Sequence, residues 1–567
     1  MSMVERSAGI RRDEHPRGVS FALLVAVLIL ATLGAGSCSV SGGPSARAIT
    51  EKPIETAYGP VTGAVANGIH SYLGIPYAQP PVGALRWRPP APPAPWKEPL
   101  VATQFGHIAP QAESTPLMAI VTGEGRTTDM SEDCLTLNIW TPAKKASDKL
   151  AVMFWIHGGA LVSGSSSNGF YNGAGLAKHG VVVVTINYRL GPLGFLSHPA
   201  LTAESQTGTS GNYGLMDQIQ ALKWVKENIA RFGGDPGNVT IFGESAGGLS
   251  VAVLMTSQAA RGLFHKAIIQ SGGAPETLRA LAEDQGKLRS AETLGSELAG
   301  KLGIPSDDPD PLSAMRAAGW QEVLAAAGST SPGEPSLPAG LPISPDSGVS
   351  KYLCVDGAVL TEAPGKVFAA GGQADVPLIV GTVADEGTIF VRHSALETKA
   401  GYTAFVKALF GDSASQVLAL YPAKDASESA VSAAALVGDL IFQTSARRIA
   451  RQMVAVQPST YRYVMTRLIP LAGELGVGVF HGTDIPYVFG TLAGRAGFAK
   501  EDAQLAELMM GYWTRFARTG DPNGEGAPVW PRYDPATDSY LKLDLSPSSE
   551  QGFRTQKVDL LEKLVKY

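Results

Sequence analysis

Cysteine is almost missing from this chain: Cys38, Cys134 and Cys354 are the only three among 567 residues. So few thiols exclude a disulfide framework, and no CxxC pair or His/Cys cluster offers a metal site among the nine scattered histidines. Charge is also sparse, at 17% of residues with a formal net of -5, and no basic run interleaves with aromatics. That composition excludes a nucleic-acid surface. Long uncharged apolar runs are limited to one near the start, residues 21–33, which follows Arg6, Arg11, Arg12 and Arg17. It is shorter than the ~20 residues of a usual membrane span and leads into Ala35-Gly36-Ser37-Cys38, as an export signal would, with an uncleaved N-terminal membrane anchor as the alternative.

The sequence is rich in glycine (65) and proline (39), which imply many turns, and in apolar residues (44%), enough for a large core. Strand-like apolar runs recur at 150–156, 181–186, 239–242, 267–269, 376–380 and 461–465. Between the second and third, Leu215, Ile219, Leu222, Val225, Ile229 and Phe232 repeat at helical spacing. Continuous apolar strands alternating with helices predict an α/β fold with a mostly parallel central sheet and helices on both faces. Residues 1–38 are expected to be the export signal, 39–53 a linker, and 54–567 a single domain. Two stretches, 111–130 and 304–350, read as surface insertions or as a lid or rim beside a pocket.

One short segment carries the chemistry. In "NVTIFGESAGGLSVAVL", 238–254, a β-branched run meets GxSxG and then a small, apolar helix-like stretch. This is the sequence form of a sharp strand-to-helix turn that exposes its central Ser245, although glycine and serine are also common in ordinary loops. A serine hydroxyl needs a base within hydrogen-bond reach, a group to orient that base, and donors for the oxyanion. "HGGAL", 157–161, follows the strand 150–156 and can turn successive N–H groups toward one point; a plain glycine turn is the simpler alternative.

"FGGDPGNVTIFGESAGG" (232–248) and "EDCLTLNIWTP" (132–142) resemble the two signature segments of the type-B carboxylesterases, the cholinesterase-like family within the α/β-hydrolase fold. "LGIPYAQPPVGALRW", "VADEGTIF", "FHGTDIPYVFG" and "YWTRFARTGDPN" fit the same family in the expected order, so the resemblance runs from about residue 54 to 545 and suggests a bacterial member. It implies an α/β-hydrolase domain with Ser245 as nucleophile, His481 as base and Glu386 as orienting acid. Residue chemistry alone leaves Asp385 and Glu386 equal; the family's DEG pattern selects Glu386. The resemblance further implies an oxyanion hole made by the N–H groups of Gly159, Ala160 and Ala246. Glu244 and Ser271 match positions that tune the triad, Ser271 reading equally well as a strand-end turn residue.

The implied activity is hydrolysis of a small-molecule carboxylic ester through an acyl-enzyme, with no metal or organic cofactor. Rival readings are an interaction module on the same fold and an amide or carbamate hydrolase. The sequence departs from animal relatives at Cys134, whose expected partner position near Ala109 holds no cysteine, so a free buried thiol is expected. No tryptophan occurs between residues 109 and 134, which argues against choline esters. Cys38 is a lipidation candidate, so the protein is expected to be an exported cell-envelope lipoprotein that meets the membrane only through that anchor. Cleavage after Ala48 would instead release a soluble secreted form. Nothing in the sequence specifies an oligomeric state.

Overall fold

The computed structural model describes residues 48–49, 52–113, 129–328, 351, 353–392, 394–493, 495 and 497–565. The expected export signal and Cys38 lie outside the described residues, as do 114–128 and 329–350 of the two insertions. The described part of the second insertion is more regular than its composition suggested. It carries helices Pro311–Ala317 and Trp320–Ala327, the first capped by Asp310.

Residues from Ala48 onward form one compact unit around a twelve-stranded sheet. In chain order its strands are β1 (Ala48–Ile49), β2 (Ala64–Ala66), β3 (Ile69–Pro76), β4 (Thr136–Thr141), β5 (Leu150–Ile156), β6 (Val182–Ile186), β7 (Gly234–Glu244), β8 (Lys266–Gln270), β9 (Leu378–Val383), β10 (Thr460–Met465), β11 (Ser539–Leu543) and β12 (Ser548–Gln551). Their spatial order is β1-β2-β3-β4-β6-β5-β7-β8-β9-β10-β11-β12. From β6 to β11 all neighbours are parallel, while β1 to β4 and β12 join antiparallel at the two edges. This is the α/β-hydrolase arrangement.

The six apolar runs seen in the sequence are the six central strands. Val152, Phe154 and Ile156 point into one core with Leu215, Ile219, Leu222 and Val225 of helix Tyr213–Asn228. Ala151, Met153 and Trp155 point into the opposite core with Leu505, Met509, Trp513 and Phe516 of helix Asp502–Thr519. Both faces are apolar, so the period-2 alternation of the strands is hidden in the sequence. The run at 239–242 is longer than expected: β7 starts at Gly234, with a register shift before Val239.

A buried ion pair braces the loop behind β6. Arg189 Nε and Nη2 donate to Asp217 Oδ2 and Oδ1 at 2.8 and 2.7 Å, and the Arg189 N–H also donates to Asp217 Oδ2. Both side chains are almost fully buried. The same loop donates from Gly191 N–H to Leu161 C=O and from Tyr188 Oη to His157 C=O, so the pair supports the turn after β5. Removing one partner strands the other charge. Asp217→Ala is expected to destabilise the protein by about 3–5 kcal/mol, whereas Lys424→Ala, in an exposed pair with Glu428, should leave the melt within error. Equal denaturation midpoints for the two variants would remove Asp217 from this role.

Candidate active site

The C-terminal ends of β5, β7, β8 and β9 lie side by side, and each releases a loop bearing candidate residues. Gly243 of β7 is in register with Ile156 of β5 and Ile269 of β8. Ser245 follows with φ 58° and ψ -122°, a conformation that L residues rarely adopt, and helix Ala246–Thr256 begins immediately after it. Such strain is held only where the surroundings over-determine it. A Cβ at Gly247 would lie 2.0 Å from Ile156 O, so only glycine lets the helix approach the strand this closely. Ser245 is thereby presented at a helix N-terminus, where unpaired N–H groups and the dipole favour negative charge.

His481 and Glu386 meet from separate loops. His481 Nδ1 and Glu386 Oε2 are 2.6 Å apart, and Glu386 Oε1 accepts from Ser271 Oγ at 2.6 Å and from Val383 N–H at 2.9 Å. A carboxylate only accepts, so this contact fits a proton on Nδ1 facing Glu386. Nε2 makes no hydrogen bond and lies 3.2 Å from Glu244 Oε1. Ser245 sits beside Glu244: a Cβ on Gly158 would lie 3.1 Å from Ser245 Cβ and 3.0 Å from Glu244 Oε2. Among the described residues no hydrogen bond joins Ser245 to His481; such contacts commonly tighten only when substrate fills the site. Asp385 turns away from His481. Its N–H and Oδ2 pair with the backbone of Val479, and its Oδ1 lies 3.4 Å from Arg554 Nη2.

The turn after β5 places Gly159, Ala160 and Leu161 in succession at φ 99°, 54° and 61°. Gly159 C=O accepts from the N–H groups of Val162 and Ser163, which closes the turn. The N–H groups of Gly159, Ala160 and Ala246 donate to no described residue. His157 stacks on Tyr188 with ring centroids 4.4 Å apart, and burial pulls its pKa down to about 4, outweighing its bond to Gly158 C=O. It is a neutral structural residue of the turn.

Several participants carried no sequence signal. Gln111, buried at the start of the first insertion, accepts from Gly164 N–H and donates to the C=O groups of Gly164 and Ala109, clamping the turn after β5. Phe390 and Phe442 flank His481, with centroids 5.1 and 4.6 Å from its ring. Behind it, Asp484 Oδ2 accepts from Tyr463 Oη and Gln270 Nε2. Apart from the Gln111–Ala109 bond, these contacts join distant parts of the chain, so no local pattern reveals them. Cys134 is free and buried, as is Cys354.

Three buried carboxyl groups surround one imidazole. Burial pushes Glu244 up to about 8, with Asp484 and Glu386 adding to the rise and His481 opposing it. Burial alone would lower His481, but Glu244, Glu386 and Asp484 together outweigh it and raise its pKa.

A strained serine at a strand-to-helix turn, a carboxylate-oriented histidine and free N–H groups define a serine hydrolase of the α/β-hydrolase fold. A family model described as the carboxylesterase family matches residues 50–561. Fumonisin B1 esterase of Sphingopyxis macrogoltabida is 38% identical over 492 residues, 84% of each chain. Para-nitrobenzyl esterase of Bacillus subtilis (strain 168) is 38% identical over 518 residues, 90% of this chain and 98% of its own. Among solved structures, a PNB esterase matches with TM-score 0.73 at 34% identity, and a thermophilic PNB esterase with 0.75 at 34%; each match covers 90% of this chain and 100% of the other. The chain belongs to the type-B carboxylesterase family, serine hydrolases that act on carboxylic ester bonds.

The charge cluster sets the pH dependence. A base must be neutral to accept a proton, so activity falls as pH drops through the apparent pKa that His481 shares with Glu244. Glu244→Gln removes one carboxylate that favours the imidazolium, and the acid limb of kcat/KM is expected to move to lower pH. A limb that stays in place or moves upward would separate Glu244 from His481 electrostatically.

Proposed function

We propose that Ser245 Oγ attacks the ester carbonyl while His481 Nε2 takes its proton. The developing oxyanion is held by the N–H groups of Gly159, Ala160 and Ala246. His481 then returns the proton to the departing alcohol, leaving an acyl-enzyme on Ser245, and a water activated by His481 releases the carboxylate. Glu386 holds the imidazole in the tautomer with Nε2 free, and Ser271 and Val383 N–H fix the carboxylate. The observation that carries this reading is the 2.6 Å His481–Glu386 contact with Nε2 left unpartnered beside the strained serine turn.

Esters of tertiary alcohols are expected among the substrates hydrolysed. The oxyanion turn Gly158-Gly159-Ala160 supports this, as the GGGX-like form goes with room for tertiary alcohols, and two relatives are named for a para-nitrobenzyl ester and fumonisin B1. The presence of every triad and oxyanion residue disfavours an interaction module. An amide or carbamate hydrolase would show comparable rates on matched ester and amide substrates.

Export with lipidation of Cys38 is the proposed placement. Small residues lead into the cysteine directly after the apolar run, and two or three acyl chains, at roughly 0.8 kcal/mol per buried CH₂, would hold the protein at a membrane with its catalytic domain in water.

Two measurements test these readings. Ser245→Ala should retain the fold and lower ester turnover by several orders of magnitude, on the order of 10⁶ where such a triad acts as a unit; a folded variant keeping a few per cent of wild-type turnover would sink the assignment. Detergent phase partitioning in a bacterial host should move Cys38→Ser, but not wild type, into the aqueous phase. Wild type in the aqueous phase with Ile49 as its first residue would mean simple secretion.

A further inference from the structure

The helical run 426–454 is not one α-helix. It is α-helical over Ala426–Gly438, widens to a π-helical turn over Asp439–Gln443, and returns to α over Thr444–Val454. Its length and apolar character would suit a membrane span, but most of it is buried against the rest of the protein. A π turn is a rare interruption of an α-helix and recurs at functional sites. Here its buried polar and aromatic side chains converge on the loops that carry the acid and the base.

Gln443 accepts from Thr382 Oγ1 at 2.8 Å and donates through Nε2 to Val383 C=O at 2.9 Å. Val383 is the residue whose N–H donates to Glu386 Oε1, so Gln443 grips from one side the residue that holds the acid from the other. Phe442 lays its ring 4.6 Å from His481 and stacks on Phe390 at 5.8 Å. Asp439 anchors the turn, accepting from Tyr421 Oη at 2.9 Å and Arg554 Nη1 at 2.8 Å; Arg554 also reaches Asp385, which pairs with Val479 two residues before His481. Just before the turn, Gly438 is so close to the acid loop that an added Cβ would lie 2.9 Å from Gly387 N and 3.3 Å from Glu386 Cβ.

We infer that the π-helical turn Asp439–Gln443 is a positioning device for the acid–base pair, Gln443 holding the Glu386 loop and Phe442 holding the His481 ring. This rests on the triad assigned above. Closing the turn to α geometry by removing one residue rotates everything on one side of it by about 100° relative to the other. Phe442 and Gln443 could not then both keep their partners while Asp439 keeps Arg554. Neither residue touches the reacting atoms, so the expected signature is a loss in turnover with little change in substrate binding.

The test uses the full chain with p-nitrophenyl butyrate, counting active sites by titration with a fluorophosphonate. Gln443→Leu should lower kcat per titrated site about tenfold and leave KM within roughly threefold. It should also move the acid limb of kcat/KM to lower pH by about half a unit, because a loosened Glu386 stabilises the imidazolium less. Deletion of the half-buried Ile441 should act in the same direction and further. Val437→Ala, buried in the same helix ahead of the turn, is expected to lower the melting temperature while turnover per titrated site stays unchanged. An unaltered kcat and acid limb in Gln443→Leu, or an equal loss in Val437→Ala, overturns the inference. If Gln443→Leu and the deletion fail to fold, Thr382→Val removes one of the two bonds to Gln443 and should give about a twofold loss with the same pH shift; no change there overturns it as well. Wild-type protein that the fluorophosphonate does not label at Ser245 would instead count against the triad.

Discussion

The close approach of helix Ala246–Thr256 to the ends of β5 and β7 is the constraint on which the rest depends. Ile156 O lies where a side chain at residue 247 would be, and Ser245 occupies a strained conformation because strand and helix leave it no other path. Strand spacing in the parallel sheet then dictates where the other loops emerge. The turn after β5 arrives on one side of the serine, the loop after β8 brings Ser271 behind it, and the loop after β9 brings Glu386. His481 comes from farther along the chain, and the aromatic pair Phe390 and Phe442 closes around it. The site is a property of the sheet's C-terminal edge, with each loop answering to a neighbour set by register.

Its electrostatics follow from the same crowding. A buried imidazole would ordinarily lose its proton, and a buried carboxyl would ordinarily keep one. Placing Glu244, Glu386 and Asp484 around His481 sets these tendencies against each other, so that His481 and Glu244 do not titrate independently. Glu386 is held by three donors. Glu244 has an oxygen without a hydrogen bond, 3.2 Å from the free nitrogen of His481, so the two groups share one electrostatic environment.

Much of this was legible in the sequence because the signals are local. Apolar runs marked the six central strands, GxSxG marked the turn, and helical spacing marked Tyr213–Asn228. Edge strands of two or three residues, such as Ala48–Ile49 and Ala64–Ala66, lack the length to register as a pattern. The described part of insertion 304–350 looked irregular because Asp310, Pro311 and Gly328 there serve as helix starts and caps. Asp385 and Glu386 are adjacent and chemically alike; only the path of the loop decides that one faces His481 and the other Val479 and Arg554. Gln111, Phe442 and Gln443 act across separations of tens of residues, so no local pattern announces them.

The two described cysteines have a consequence of another kind. Cys134 lies fully buried close to Asp217 and Arg189, and Cys354 is packed against Ser197 and Asn212. Burial raises both thiols far above their ordinary range, so neither forms a reactive thiolate while the core is closed. A maleimide in solution therefore meets them only in molecules that have opened, and the rate of alkylation becomes a built-in clock for opening of the core. Because Cys134 lies by the Arg189–Asp217 pair and Cys354 by Ser197 and Asn212, mass spectrometry of the two labelled peptides would time the opening around each thiol separately within a single unmodified chain.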